Sequence, residues 1–384
     1  FSFPLPVKES PVNNATRLAA LATPALLLDE ARMMKNINHL AKRARRLKVT
    51  LRPHLKTAKS VDVARRLFDG ATGPITVSTL AEAEVFHRAG FADILYAVGV
   101  APAKLGRIAA LRAEGCDLKV ILDSVTQARA VAEAGIPALI EIDSDGHRGG
   151  VAPGSPALIE IGEILHRRNV LSGVMTHAGE SYNVAGAEAH AEFAERERSA
   201  CVQAAEALRA AGFSCPTVSV GSTPTAHAAR DLSGITELRA GVYMFFDLVM
   251  TGIGVCAIDD IALSVLTSVI GHQPDKGWTL IDAGWMAMSR DRGTASQAVD
   301  QGYGVVCDVE GRPIPDLIVT GCNQEHGVVA LRPGATGAPL DLPVGTLLRI
   351  LPNHACATAA QHSHYTVLPE AGGPLLNWPR FGGW

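Results

Sequence analysis

Residues 118–142 read LKVILDSVTQARAVAEAGIPALIEI. The two ends, 118–122 and 139–142, are short aliphatic runs suited to buried strands. Between them residues 128–134 are Ala-rich with apolar positions three and four apart, and Gly135 follows where a helix C-cap belongs. A strand, a helix and a strand joined by such short loops imply parallel pairing and a right-handed crossover. The unit recurs on both sides. Strand-like runs fall at 49–52, 75–78, 94–98, 118–122, 139–142, 171–176, 217–220 and 237–239, and helical spacing marks 61–68, 81–89, 103–113, 128–134, 157–166 and 189–211. Eight such strands predict a closed (β/α)8 TIM barrel of the α/β class. A doubly wound sheet is the alternative, but no turn here carries the G-x-G-x-x-G pattern of a dinucleotide site.

Beyond about residue 250 the pattern turns all-β, with runs at 262–270, 278–282, 304–308, 317–320, 327–331 and 346–351 between Gly, Pro and Asp clusters. One run, 25–28, precedes a helical segment at 30–47 and falls outside the eight. It is expected to join the C-terminal β-domain. The expected division is a barrel over 29–248 and a β-domain from 1–28 and 249–384.

Composition narrows the class further. The chain has 384 residues, 47% hydrophobic and 19% charged, which excludes wholesale disorder. The net charge of −3 with scattered Lys and Arg argues against nucleic acid or an anionic membrane as a partner. Seven Cys without a C-x-x-C pair argue against a disulfide framework or zinc ribbon and favour the cytoplasm. Residues 1–14 lack the pattern of a signal peptide, and no apolar run reaches membrane-spanning length.

In a barrel of this kind the reactive groups sit on the loops after the strands. The first carries Pro53-His54-Leu55-Lys56-Thr57-Ala58-Lys59, and Lys56 is the candidate nucleophile, with Arg52 and Lys59 as cationic neighbours able to lower its pKa. Taken alone, Lys56 and Lys59 read better as solvated loop lysines. The seventh loop carries Gly221-Ser222-Thr223-Pro224-Thr225, a Gly and two hydroxyls entering a helical turn, which suits a phosphate. A phosphate site and a lysine on one barrel face suggest pyridoxal phosphate. In the β-domain, Pro352-Asn353-His354-Ala355-Cys356 follows a strand. In an extended segment His354 and Cys356 share a face and could hold one divalent metal. A buried Cys beside a hydrogen-bonded His is the other reading. Trp285, Met286, Met288, Phe245 and Phe246 read as core or interface.

Taken together, the Lys56 and Gly221 loops resemble a known group. So do Asp145-Gly146-His147-Arg148-Gly149-Gly150, Thr176-His177-Ala178-Gly179-Glu180-Ser181-Tyr182, Asp282-Ala283-Gly284, Gln324-Glu325-His326-Gly327 and Pro352-Asn353-His354-Ala355-Cys356. From about residue 22 onward the chain resembles the fold-type III pyridoxal-phosphate enzymes of the D-serine dehydratase and D-threonine aldolase group. It is most similar to the D-threo-3-hydroxyaspartate dehydratase branch. The resemblance implies an alanine-racemase-like barrel, pyridoxal 5'-phosphate bonded to Lys56, and a homodimer acting on a small D-amino acid. It places Arg148 at the cofactor ring oxygen or substrate, and His177 and Tyr182 around the ring. Gly221, Ser222 and Thr223 fall at the phosphate and Arg239 at the pyridine nitrogen. It also implies a divalent ion (zinc, manganese, cobalt or magnesium) on His354 and Cys356. Aldolase relatives often carry His-x-Asp at the metal motif, so the His-Ala-Cys found here ranks dehydratase first and aldolase second. A non-catalytic cofactor carrier is a third reading, which the metal motif disfavours.

Overall fold

In the computed structural model, which describes residues 14–337 and 341–384, the chain forms two compact units. The first 13 residues, expected to carry no signal peptide, lie outside the described residues.

One unit takes in residues 34–246, 250–257 and 379–384. After an isolated first strand, β1 (Ala25–Asp29), which belongs to the other unit, come its eight parallel strands. They are β2 (Thr50–Pro53), β3 (Ile75–Val77), β4 (Asp93–Gly99), β5 (Asp117–Leu122), β6 (Ala138–Glu141), β7 (Leu171–Met175), β8 (Thr217–Val220) and β9 (Glu237–Ala240). Their order is β2-β9-β8-β7-β6-β5-β4-β3. A bridge between His54 and Thr76, with the Leu55 N–H donating to Thr76 O at 2.9 Å, joins the two end strands and makes the sheet a barrel. Alternation of aliphatic strands with amphipathic helices produces this because each strand is covered on both faces. Strand β6 is buried at all four positions. Helix starts are capped as their sequences require: Thr79 accepts from Glu82 N at 3.1 Å and Ser124 from Gln127 N at 3.3 Å.

The other unit takes in residues up to Met33, Asp247–Val249 and Ile258–Trp378. Its strands are β10 (Leu263–Gln273), β11 (Trp278–Ile281), β12 (Gly304–Cys307), β13 (Pro313–Cys322), β14 (Gly327–Leu331), β15 (Leu347–Pro352), β16 (His364–Leu368) and β17 (Leu376–Pro379), the last ending one residue into the barrel unit. Strand β10 pairs with both β11 and β15, so the order β10-β11-β14-β13-β12-β15 closes on itself. As the 25–28 run suggested, β1 lies in this sheet, antiparallel to β10 and parallel to β16. Asp282 fastens that side, accepting from the hydroxyls of Thr23 (2.5 Å) and Thr267 (2.7 Å) and from Ser268 N–H (2.9 Å). The Asp-Ala-Gly and Gln-Glu-His-Gly motifs are one packing contact, since a Cβ on Gly284 would lie 2.3 Å from Gln324 O.

Residues 379–384 depart from the expected C-terminal domain. Phe381 N–H donates to Lys59 O at 3.0 Å and Arg380 Nε to Ala58 O at 3.1 Å, which ties this segment to the barrel. All seven Cys are free thiols. No helix among the described residues is long and apolar enough to cross a membrane.

Candidate active site

The turn after β2 presents Lys56 to solvent, and its ammonium has no hydrogen-bond or ion-pair partner among the described residues. The cations expected to surround it are engaged elsewhere. Arg52 turns into the barrel, where Nε meets Glu237 Oε2 at 2.9 Å and Nη1 meets Asp93 Oδ1 at 3.0 Å. Lys59 Nζ lies 3.3 Å from the buried Glu82 carboxylate. A strand residue whose side chain points inward cannot also flank the loop, and the sequence carried no mark of which way Arg52 faced.

Two imidazoles stand near Lys56. Burial, with the charges of Lys56 and Arg239, holds His54 well below the usual histidine range. Burial and the same lysine lower His177 to about 3. His177 Nδ1 lies 3.3 Å from Gly221 O and donates to it, which leaves Nε2 as an acceptor. Tyr182 sits beside it, ring centroids 6.3 Å apart. Both folded-state pKa values lie below the unfolded value, so the stability these rings contribute is present above about pH 6.5 and lost as pH falls through their folded values. Thermal melts of the apoprotein are expected to drop steadily between pH 6.5 and 4. A His177→Gln variant should show a shallower fall.

Arg239, buried on β9, donates from Nη1 to Ser219 Oγ (2.6 Å) and from Nη2 to Thr176 O. Its guanidinium therefore ties together the ends of β7, β8 and β9. Arg148 differs: its side chain is 62% exposed and its nearest carboxylate, Glu141, is 3.9 Å away. The barrel mouth gathers Lys56, His177, Tyr182 and Arg239, and the charge of Arg148 reaches His177 from an exposed loop.

The Gly221 turn is more specialised than its composition suggests. Gly221 has φ 132°, and a Cβ there would lie 2.0 Å from Arg239 O, so no other residue fits. Ser222 is spent as a helix cap: Oγ accepts from Thr225 N at 3.3 Å, and Ser222 N donates to Thr225 Oγ1 at 3.0 Å. The buried Thr223 Oγ1 has no hydrogen-bond partner among the described residues. A buried hydroxyl left unpaired costs about 1–3 kcal/mol, and a phosphate oxygen would satisfy it. The residues therefore fit a phosphate, with Thr223 offering the side-chain donor. Two groups at this mouth escaped the sequence reading. His54 was visible two positions before Lys56, but nothing marked it as buried. Glu197 lies mid-helix in an Ala/Glu/Arg run without any local sign, yet its Oε1 accepts from Ala178 N (3.2 Å) and Gly221 N (2.9 Å).

In the β-domain the segment around Cys356 is not extended. Strand β15 ends at Pro352, His354 is the N-cap, and Ala355–Ala359 is a helical turn whose first N–H, Ala355, donates to Asp247 Oδ2 at 2.9 Å. The buried Asp247 carboxylate favours a helix start over continued strand. Alternation along a strand therefore does not pair His354 with Cys356, but a side-chain hydrogen bond does. His354 Nδ1 is held by Asp291 Oδ2 at 2.6 Å, the outer carboxylate that typically orients metal-binding imidazoles. No group of three or more His, Cys, Asp or Glu positioned for a metal occurs among the described residues. An adjacent imidazole and thiol fit a cation that keeps water or substrate in its other positions.

Fold and barrel mouth define an alanine-racemase-like enzyme, and comparison with known proteins agrees. The family model "Alanine racemase, N-terminal domain" matches residues 28–249 and "Putative serine dehydratase domain" matches 262–368. D-threo-3-hydroxyaspartate dehydratase of Delftia sp. (strain HT23) is 56% identical over 379 residues, 96% of this chain and 99% of that protein. D-threonine aldolase of Arthrobacter sp is 30% identical, covering 94% and 92%. A solved cysteine-to-alanine mutant of D-threo-3-hydroxyaspartate dehydratase, in the metal-free form, superposes with a TM-score of 0.93 at 55% identity, covering 96% and 100%. The chain belongs to the family that joins an alanine racemase N-terminal domain to a serine dehydratase domain. Pyridoxal phosphate is the cofactor expected of this family.

Proposed function

We propose that this protein is a pyridoxal-phosphate-dependent lyase that dehydrates D-β-hydroxy amino acids, D-threo-3-hydroxyaspartate first among them, to an oxo acid and ammonia. The observation that carries the reading is the unpartnered Lys56 ammonium beside two uncharged imidazoles, on the same barrel mouth as the unsatisfied Thr223 hydroxyl. The 56% identity to the Delftia dehydratase supports the substrate.

Pyridoxal phosphate held by Lys56 and Thr223 supplies an electron sink for the substrate's Cα when bound. Lys56 Nζ, once displaced by substrate, takes the α-proton. His54 and His177 stay neutral, so neither adds a cation beside that amine. His177 Nε2, with its lone pair, and the neighbouring Tyr182 would line the ring. Arg239 holds the strand ends that carry the turn, and the family resemblance would put it toward the ring nitrogen. Arg148, free on its loop, is suited to close on a substrate carboxylate. His354 and Cys356, with Asp291 behind the imidazole, would hold a divalent cation, which would supply Lewis acidity for loss of the β-hydroxide. A solved cysteine-to-alanine mutant of D-threo-3-hydroxyaspartate dehydratase is described as metal-free, which supports the reading of an ion held through a cysteine. The released enamine then hydrolyses to the oxo acid and ammonia. The reading includes a homodimer, checked by light scattering at twice the chain mass.

The purified protein is to be incubated with D-threo-3-hydroxyaspartate, D-serine and D-threonine, with ammonia, oxo acid, glycine and aldehyde assayed. Ammonia and oxo acid in equal amounts are expected. Glycine with an aldehyde as the main products would overturn dehydration in favour of retro-aldol cleavage, and no product from any of the three would leave a carrier.

Thr223→Ala is expected to weaken pyridoxal phosphate by about 1.5–3 kcal/mol, roughly ten- to a hundredfold. Pyridoxal without its phosphate should bind unchanged. Ser222→Ala should lower the melting temperature by removing a helix cap worth about 1 kcal/mol, with a smaller effect on affinity. Equal affinity losses for the two cofactor forms in Thr223→Ala would remove the phosphate assignment.

A further inference from the structure

Glu197 takes no part in the chemistry above, yet it is 2% exposed and sits behind the barrel mouth on the helix Ala187–Ala210. Its Oε1 accepts from Ala178 N, next to His177, and from Gly221 N of the phosphate turn. The Thr225 hydroxyl bonds the same carboxyl and also accepts from Ser222 N at 3.0 Å. His177 Nδ1–H returns to Gly221 O and closes the ring of bonds. One side chain thus fixes both loops. The ionisable groups facing it are Arg239 from β9 and Cys201 on its own helix; the turns after β7 and β8 present N–H groups and a hydroxyl. Arg239 divides its charge among Glu197, Glu237 and Glu141, so it is no dedicated counter-ion.

We propose that Glu197 is the positioning residue of the phosphate turn and holds a proton while the cofactor phosphate is bound, so that cofactor binding takes up a proton. The proposal rests on the reading of the Gly221 turn as the phosphate site. A phosphate dianion and a carboxylate on opposite sides of one short turn repel, and protonation removes the repulsion. Burial already pushes Glu197 up to about 7, against the bonds that favour its charge. Thr225 can serve either form. Its hydroxyl donates to the carboxylate, or accepts from the acid while its own proton turns to Ser222 O at 3.4 Å.

Glutamine imitates the protonated acid, accepting from the two N–H groups and donating to Thr225. The dissociation constants of pyridoxal phosphate and of pyridoxal are to be measured for wild-type, Glu197→Gln and Glu197→Ala apoenzymes from pH 6 to 9, by cofactor absorbance. The ratio of wild-type to Glu197→Gln constants for the phosphorylated cofactor should rise about tenfold across that range, as a one-unit upward shift on binding requires. At pH 9 the glutamine variant should bind more tightly than wild type, and Glu197→Ala more weakly at every pH. With pyridoxal the ratio should stay flat. A carboxyl with only a structural role would make Glu197→Gln weaker throughout. A flat ratio for pyridoxal phosphate overturns the proposal. If Thr223→Ala still distinguishes the two cofactor forms in that case, the phosphate site survives and Glu197 alone fails. Should Glu197→Gln not fold, calorimetry on wild type in buffers of different ionisation enthalpy replaces it. Greater proton uptake with pyridoxal phosphate than with pyridoxal is expected at pH 7.5, and equal uptake overturns the proposal.

Discussion

Lys56→Ala is expected to abolish turnover, with a loss on the order of 10⁴-fold or more, because in the proposed mechanism one side chain supplies both the covalent attachment and the base for the α-proton. Borohydride reduction of the native enzyme, followed by peptide mapping, should leave the pyridoxyl group on Lys56. Lys59→Ala makes the contrasting case. That ammonium is committed to Glu82 at 3.3 Å, so its loss should lower the melting temperature while turnover stays within a few-fold. A pyridoxyl label on Lys59 would exclude Lys56 as the attachment site.

Cys356→Ala should cost turnover on the order of 10²–10³-fold, the scale of several kcal/mol that a Lewis acid contributes to a departing hydroxide. The absorbance of the bound cofactor should remain, since the cation is no part of its attachment. Chelation of the wild type should reproduce both results, and divalent metal should restore the chelated enzyme but not the variant. Asp291→Asn, which weakens the grip on His354 Nδ1, should loosen metal by about 10–100-fold while leaving both ligands in place. Full turnover in a demonstrably metal-free protein would end the metal-assisted reading. A packed, structural Cys356 would instead tolerate alanine with near-normal rates.

The barrel was legible because its signal is local and repeated. A run such as 118–122 followed by a helix-spaced 128–134 has few competing interpretations, and β5 indeed spans Asp117–Leu122. The reactive loops were legible for the same reason: strand ends define them. Long-range relations were not. Arg52 reads the same whether it flanks Lys56 or lies in the barrel against Glu237, 185 positions away. The bend before Cys356 depends on Asp247, 108 positions before Ala355, whose carboxylate starts a helical turn where alternation predicted continued strand. Ser222 and Thr223 look alike in a list of hydroxyls. Only the packing shows the first used as a cap and the second left with an unspent proton.

The early strand β1 has a consequence for biosynthesis. Its partners are β10 and β16, with Leu28 set opposite Leu263 and Leu27 opposite Thr366. Roughly 235 residues must be translated before the first partner exists, some 10–50 s at ordinary elongation rates. During that interval most of the barrel strands emerge from the ribosome, while the leucines of β1 wait with open backbone edges. The nascent chain is thus a partly assembled barrel trailing a sticky early strand. That species is where a chaperone would be needed, and where overexpression at high temperature would first produce aggregates.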